Sequence, residues 1–313
     1  MVIAVALFYG VVALILLLTQ KLRSRSGERV QTAAFLLPSL LLIGIGLLYP
    51  AGKTVYESLY GSAVFDPEFV GLENYQKLFT DSQQLEVLRN TLFWVVLTPL
   101  VSTAIGLVYA ILVDRAPFEK FAKALLFLPM AISMVGASII WKFVYDYRSG
   151  DRTQIGLLNQ VLDWLGIDTY NFLLEDPWNT FFLIAILIWI QAGFAMTLLS
   201  ASIKAIPEDI VEAARLDGVG SWQMFRHITV PSIRPTLIVV LTTITIATLK
   251  VFDIVQTATG GNFKTSVLAY EFYRQSFVAG NNGLASAIAV VIFVLIMPIV
   301  IYNVRQMRKL EAR

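Results

Sequence analysis

PEDIVEAARLDGVGSWQMFRHITVP occupies Pro207–Pro231, and it gathers Glu208, Asp209, Glu212, Arg215, Asp217, Arg226 and His227 into one short interval. The chain on either side is strongly apolar. TFFLIAILIWIQAGFAMTLLSASI (180–203) precedes it and TLIVVLTTITIATL (236–249) follows. A run of about 20 apolar residues crosses ~30 Å of hydrocarbon at ~1.5 Å per residue. The interval therefore reads as a charged connection between two membrane-crossing segments.

Composition extends that reading to the whole chain. Of 313 residues, 57% are hydrophobic and only 15% charged, against roughly half and a quarter in ordinary soluble domains. The excess falls in runs at about 2–20, 33–56, 91–113, 124–145, 180–203, 236–257 and 284–304. These predict an all-α polytopic membrane protein with about seven transmembrane helices. The first run lacks a basic segment before it, and its positive charges, Lys21, Arg23, Arg25 and Arg29, come after it. That is the pattern of a retained span rather than a cleaved signal. A net charge of +2 gives no footprint for nucleic acid, and the absence of cysteine excludes disulfides and thiolate metal sites.

Orientation follows from lysine and arginine. Segments 21–32, 114–123, 204–235 and 305–313 hold 15 of them, while the opposite loops, with Lys53, hold 7. Basic residues are retained on the cytoplasmic side, so the C-terminus and the 204–235 loop are expected in the cytoplasm and the N-terminus outside.

Within that loop, Pro207 followed by Glu208 and Asp209 reads as a helix start, since proline is tolerated there and acids favour the positive end of the helix dipole. DIVEAARL has good helix formers, and Gly218 and Gly220 are expected to stop the helix after about two turns. Pro231 and Pro235 frame the next span. Ala213 and Ala214 leave room for another body to approach, and Glu212 and Asp217 offer it acceptors. The same pattern also suits an amphipathic segment lying on lipid headgroups, and physics alone leaves both readings open.

Glu212-Ala213-Ala214, three residues, Gly218, nine residues, then Ile228-x-Val230-Pro231 resembles the EAA loop of ABC importer permeases, E-A-A, x3, G, x9, I-x-L-P. Val230 stands where leucine is usual. Asp217, Trp222 and Phe225 match the carbohydrate branch, as do LLPSLLLIGIGLLYPAGKTVYESL (36–59), FVGLENYQKLF (69–79), VFDIVQTATGG (251–261) and GLASAIAVVIFVL (283–295). The resemblance implies a type I ABC importer permease fold of the maltose-type inner-membrane component. Residues 33–313 would form the six-helix permease domain, with the coupling loop at 204–235, and residues 1–32 an additional N-terminal span and linker. It implies a bacterial or archaeal cell membrane. The implied partners are a second homologous permease, two ATPase subunits carrying ATP and Mg2+, and an extracytoplasmic sugar-binding protein. Glu212, Ala213, Ala214, Asp217 and Gly218 would contact the ATPase, and the cargo would be an oligosaccharide or α-glucoside.

For the sugar path, alignment to the EAA loop points to Gln191, Phe194, Thr243 and Lys250; asparagine is usual at the last. Lys250 and Asp253 are three apart and share a face if the sixth span is one helix. A charge at mid-membrane is costly, so they either neutralise one another or line a wet cavity; Trp189 and Phe252 are further aromatic candidates. Catalytic and metal-ligating residues are not expected: GGNFKTS (260–266) lacks the spacing of a phosphate-binding loop, and His227 is the lone histidine. A secondary transporter would instead show inverted repeats and move cargo without an ATPase, and a membrane enzyme would turn a sugar over. Because the chain has no cysteine, topology has a clean test. A cysteine at position 2 should react with an impermeant thiol reagent in intact cells and one at 312 should not; the reverse labelling overturns the seven-span topology.

Overall fold

The computed structural model describes residues 25–62, 68–114, 117–149 and 152–311, with five isolated positions between 10 and 17. The predicted first span, 2–20, lies largely outside the described residues. The described chain is helical with no strand, apart from one isolated bridge between Tyr60 and Phe69. Helix α1 (residues 25–57) passes through a π-helical stretch at Gly44–Leu48. Its Phe35–Glu57 segment is long and apolar enough to cross a membrane, yet only 6% of it is buried inside this chain, so its leucines meet lipid or another polypeptide. After α2 (Glu73–Thr80), Asp81 caps the long α3 (Ser82–Val113) by accepting from the Gln83 and Gln84 amides.

The predicted span 124–145 is corrected to a broken one. Helix α4 (Glu119–Phe127) runs into a 3-10 turn at Leu128–Ala131, and α5 (Met134–Val144) leaves at 101°. Pro129 supplies no amide hydrogen to the turn, Ile132 is extended, and Ser133 Oγ accepts from Gly136 N at 3.1 Å to start the new helix. A short α6 (Leu157–Trp164) precedes α7 (Trp178–Lys204). Helix α8 (Glu208–Leu216) is followed by α9 (Ser221–Leu249), α10 (Asp253–Ala258), α11 (Leu268–Tyr273) and α12 (Asn282–Glu311).

The sixth span also differs from expectation at both ends. Predicted as 236–257, it starts at Ser221 and stops at Leu249. Its early start is made continuous by a π-helical stretch, Phe225–Thr229, two positions before Pro231. The local widening accommodates a residue that a regular ladder tolerates poorly. In all, five described helices, or six counting the bent pair, suit a membrane by length and apolarity.

Packing centres on α3 against α7, the most extensive helix pair. Gly106 makes it possible: a Cβ there would stand 2.5 Å from Ala195 Cβ and 2.7 Å from Met196 N. Small residues at such crossings let backbones approach in lipid, where apolar burial alone gives little drive. Gly193 does the same for α4, since a Cβ would strike the Leu126 carbonyl oxygen. Below the crossing, Ala110, Met196, Leu199, Ile233, Val240 and Ile244 form one buried cluster joining α3, α7 and α9.

The end of the bundle opposite α8 is closed by polar contacts. The 259–267 loop holds Phe263 and Lys264 at φ 54° and 59°, a strained conformation for side-chain-bearing residues. Asn179 Nδ2 donates to Phe263 O at 2.7 Å and Asn90 Nδ2 to Lys264 O at 2.7 Å, while Lys264 pairs with Asp176 at 2.9 Å. Beside it Glu271, fully buried, accepts from Arg274 Nη2 (2.8 Å), Arg274 Nε (3.0 Å), Gln275 (2.7 Å) and Gln84 (3.1 Å). Burial pushes the Glu271 carboxyl up, but the hydrogen bonds from Arg274, Gln275 and Gln84 outweigh it and hold it below the usual carboxylate range.

A depressed native pKa means stability present above the ordinary carboxylate value and lost as pH falls through the native one. Breaking a buried pair on one side costs about 3–5 kcal/mol, and Arg274 is a third exposed, which argues for the low end. Arg274→Ala, which strands the fully buried Glu271 carboxylate, should therefore lower the melting temperature of the detergent-solubilised protein clearly, and Glu271→Ala, which leaves an arginine that solvent can reach, less. Equal and negligible shifts would show that the network does not hold this end together.

Candidate functional site

The polar interval resolves into a short helix with defined ends. Pro207 is the N-cap of α8, one position earlier than a first-turn proline, and Glu208 and Asp209 occupy the first turn. At the other end, Gly218 N bonds to Arg215 O at 3.1 Å and Val219 N to Ala214 O at 3.1 Å, the paired bonds of a Schellman cap. Gly218 has φ +78°, which a glycine adopts without a Cβ penalty. The space around it is open, so backbone conformation and not crowding demands glycine. Gly220 has an ordinary φ of −69° and caps the start of α9; it does not stop α8, a correction to the expectation.

One face of α8 is turned inward and the rest is free. Ala214 is buried, while Glu212, Ala213, Asp217 and Gly218 are exposed. Leu216 is 88% and Trp222 68% exposed, so the acids are interleaved with large apolar side chains. None of Glu208, Asp209, Glu212 or Asp217 forms an ion pair among the described residues. His227 is exposed on α9, its Nδ1 3.2 Å from Gln223 O. The arrangement is a rigid, charged and apolar prong held between two apolar helices.

The five polar-path residues divide into two groups. Gln191 and Phe194 lie half-buried on α7, and Phe194 packs on the cluster containing Val240 and Ile244. This brings it to the level of Thr243, which is exposed on α9. Lys250 is exposed two turns further on, at the C-cap of α9. The helix then breaks, and Asp253 opens α10, so the face that Lys250 and Asp253 would share in one continuous span does not exist. Lys250 and Asp253 form no ion pair among the described residues. Each charge instead sits at the helix end whose dipole favours it, cation at a C-terminus and anion at an N-terminus.

Lys250 borders a groove of about 380 Å³ walled by Leu249, Phe252, Phe272, Tyr273 and Ile292. Phe252 meets Tyr273 at 4.9 Å between ring centroids. Tyr273 and Phe272 were not singled out from the sequence because AYEFYRQSF falls in a predicted loop; its density of aromatics was the available signal. Trp189 lies apart from this group, edge-on to Trp141 at 5.8 Å in a larger apolar cavity of about 660 Å³ between α3, α4 and α7. No cluster of metal-ligating side chains occurs among the described residues.

Comparison with known proteins places this architecture. Residues 86–310 match the family described as binding-protein-dependent transport system inner membrane component. The osmoprotective compounds uptake permease protein GgtC of Synechocystis is 48% identical over 277 residues, covering 88% of this chain and 99% of that protein. The alpha-glucoside transport system permease protein AglF of Rhizobium meliloti is 45% identical over 282 residues, covering 90% and 83%. A chain from the crystal structure of a bacterial alginate ABC transporter in complex with an alginate pentasaccharide-bound periplasmic protein superposes with a TM-score of 0.77 at 24% identity, over 92% of this chain and 98% of that one; at that identity the likeness speaks for the fold. With a family match across most of its length and relatives near half identity, this multi-pass chain belongs to the binding-protein-dependent transport system inner membrane components.

Proposed function

We propose that this chain is the translocation subunit of an ATP-driven importer for an α-glucoside or related oligosaccharide. The observation that carries the reading is α8, an exposed acidic prong with a glycine-locked end, joined to membrane helices on both sides. It suits a mechanical contact with an ATPase subunit and supplies no chemistry of its own. On this reading Glu212, Ala213, Asp217 and Gly218 seat on the ATPase, while Ala214, also expected there, is buried against this chain and holds α8 in place. ATP and Mg2+ are held there and not by this chain. A second permease completes the path, and an extracytoplasmic binding protein delivers cargo. Closure of the ATPase pair moves the prongs together and switches access by rigid-body motion. The loop faces the cytoplasm, with the N-terminus outside, in a bacterial or archaeal cell membrane. The cargo class rests on the 45% identity to an α-glucoside permease.

The path would run along Gln191, Phe194, Thr243 and Lys250, with Asp253 at its upper edge. Exposed hydroxyl and ammonium groups and a half-buried amide, beside aromatic rings, fit a sugar, whose hydroxyls need partners and whose apolar face stacks. The exposure of Thr243 and Lys250 in a single subunit leaves them free to face a second one.

In proteoliposomes holding the complete transporter, uptake of labelled maltose, trehalose or sucrose should require both ATP and binding protein. Uptake by this chain without an ATPase overturns the proposal. Within that assay, Glu212→Lys should lower binding-protein-stimulated ATP hydrolysis while assembly persists, because reversing a partly desolvated contact costs several kcal/mol. Gly218→Ala should have a smaller effect, since a left-handed φ costs a non-glycine residue about 1–2 kcal/mol and the surrounding space is open. Unchanged stimulated turnover in Glu212→Lys rejects the coupling role.

The path has its own prediction. Lys250→Met and Thr243→Val should both insert normally, because neither residue forms an ion pair among the described residues that the change would break. Each should raise the KM for uptake or change sugar preference, by losing a hydrogen bond to cargo. Full uptake with unchanged selectivity in both variants removes α9 from the path.

A further inference from the structure

Three helix ends meet beside the root of α8. Asp114 follows the last residue of α3, Glu119 and Lys123 lie in the first turns of α4, and Ser200 and Lys204 end α7. Lys123 Nζ is the hub. It stands 2.5 Å from Asp114 Oδ1 and 2.8 Å from Glu119 Oε1, and it also donates to Ser200 Oγ. Ser200 Oγ donates in turn to Asp114 Oδ1 at 2.6 Å. Lys204 pairs with Glu119 and lies 3.9 Å from Asp114. The hub is sheltered: the Asp114 side chain is 11% exposed and that of Lys123 25%. Exposed pairs contribute little, but a shared, partly buried set of two cations, two carboxylates and a hydroxyl constrains geometry as a network.

Its position gives the network a consequence. Only Ala205 and Ile206 separate Lys204 from Pro207, the N-cap of α8, and both continue the turn through bonds to Ala201 O and Ile203 O. Ile206 also packs on the buried cluster that joins α3, α7 and α9. There is no slack between α8 and Lys204. On the far side, Lys123 lies one turn before the 3-10 break that turns α4 into α5. A displacement of α8 therefore reaches α4 through charges as well as α7 through the chain.

We infer that Asp114, Glu119, Lys123, Ser200 and Lys204 form an ionic clamp that makes the broken span α4–α5 move as one body with α7 and α8, so that these are positioning residues for energy coupling. The inference rests on α8 being the ATPase contact. Its distinctive content is that Glu119 and Lys204 stay together throughout the cycle. A gate would need them to separate, and a mere staple would affect stability and leave the ratio of transport to hydrolysis alone.

The test uses the complete reconstituted transporter, with ATP hydrolysis and uptake of labelled α-glucoside measured on the same vesicles. Lys123→Met should retain stimulated hydrolysis but reduce sugar moved per ATP by about fivefold or more, the low end of ordinary coupling between sites. Lys123→Arg, which keeps the charge, should recover most of the ratio. In the otherwise cysteine-free chain, Glu119→Cys with Lys204→Cys should be uncoupled until joined by a short thiol crosslinker, and coupled afterwards. An unchanged ratio in Lys123→Met overturns the clamp, and so does arrest of uptake on crosslinking. If Lys123→Met does not assemble, the crosslinking arm decides alone. Failure of the unmodified transporter to couple ATP to uptake would instead count against the proposed function.

Discussion

At Gly106 the backbones of α3 and α7 come so close that a single methyl group would stand 2.5 Å from Ala195 Cβ. In lipid that proximity is the source of attraction, because association of apolar helices depends on close van der Waals contact. The rest of the bundle is laid onto this pair. Gly193, on α7, admits the backbone of α4 at Leu126 and Phe127. The crossing of α4 over α7 then brings Lys123 to Ser200 and Glu119 to Lys204. The α9 residues Val240 and Ile244 close on the same cluster. Position and orientation of α8 thus descend from a contact far along α7, through a rigid helix and a connector with no slack.

The elements legible in the sequence were those specified locally. Apolar length marked the spans, because a membrane demands about 20 residues in a row. Helix α8 was legible nearly to the residue, since proline, first-turn acids and a glycine needing positive φ are all one-residue signals. The break at Pro129 is a different case. Pro38, Pro99, Pro235 and Pro298 lie inside helices too, so proline alone does not foretell a 101° turn. What distinguishes the site is Ser133 capping a new helix and Gly193 letting the turn seat against α7, and the second of these is a contact across more than 60 residues of chain.

The break after Leu249 carries no glycine or proline at all. It follows from tertiary partners: Val251, Ile254 and Val255 are buried in a cluster with Trp94, Tyr145 and Leu187, and Phe252 is turned toward Tyr270 and Tyr273. Positions 251, 254 and 255 keep the i, i+3, i+4 spacing of one helical face, so the sequence period gives no warning that the helix stops at Leu249. Propensity gives way to packing here, which is why the spacing of Lys250 and Asp253 suggested a shared face that the fold does not provide.

That break also bears on which side of α9 is wet. Irregular backbone at membrane depth is tolerated where it is buried in protein or lines water, since lipid offers no hydrogen bonds. Val251 is buried, which covers the inner side of the break, and the neighbouring Lys250 is exposed. An exposed ammonium with no carboxylate partner among the described residues is poorly matched to hydrocarbon. Its side of the helix must then face water or another polypeptide. Thr243, two turns along and also exposed, shares that side by helical period. Two residues singled out for their chemistry are thus joined by a physical requirement, and on the proposed reading the face they share is the one turned toward the cargo.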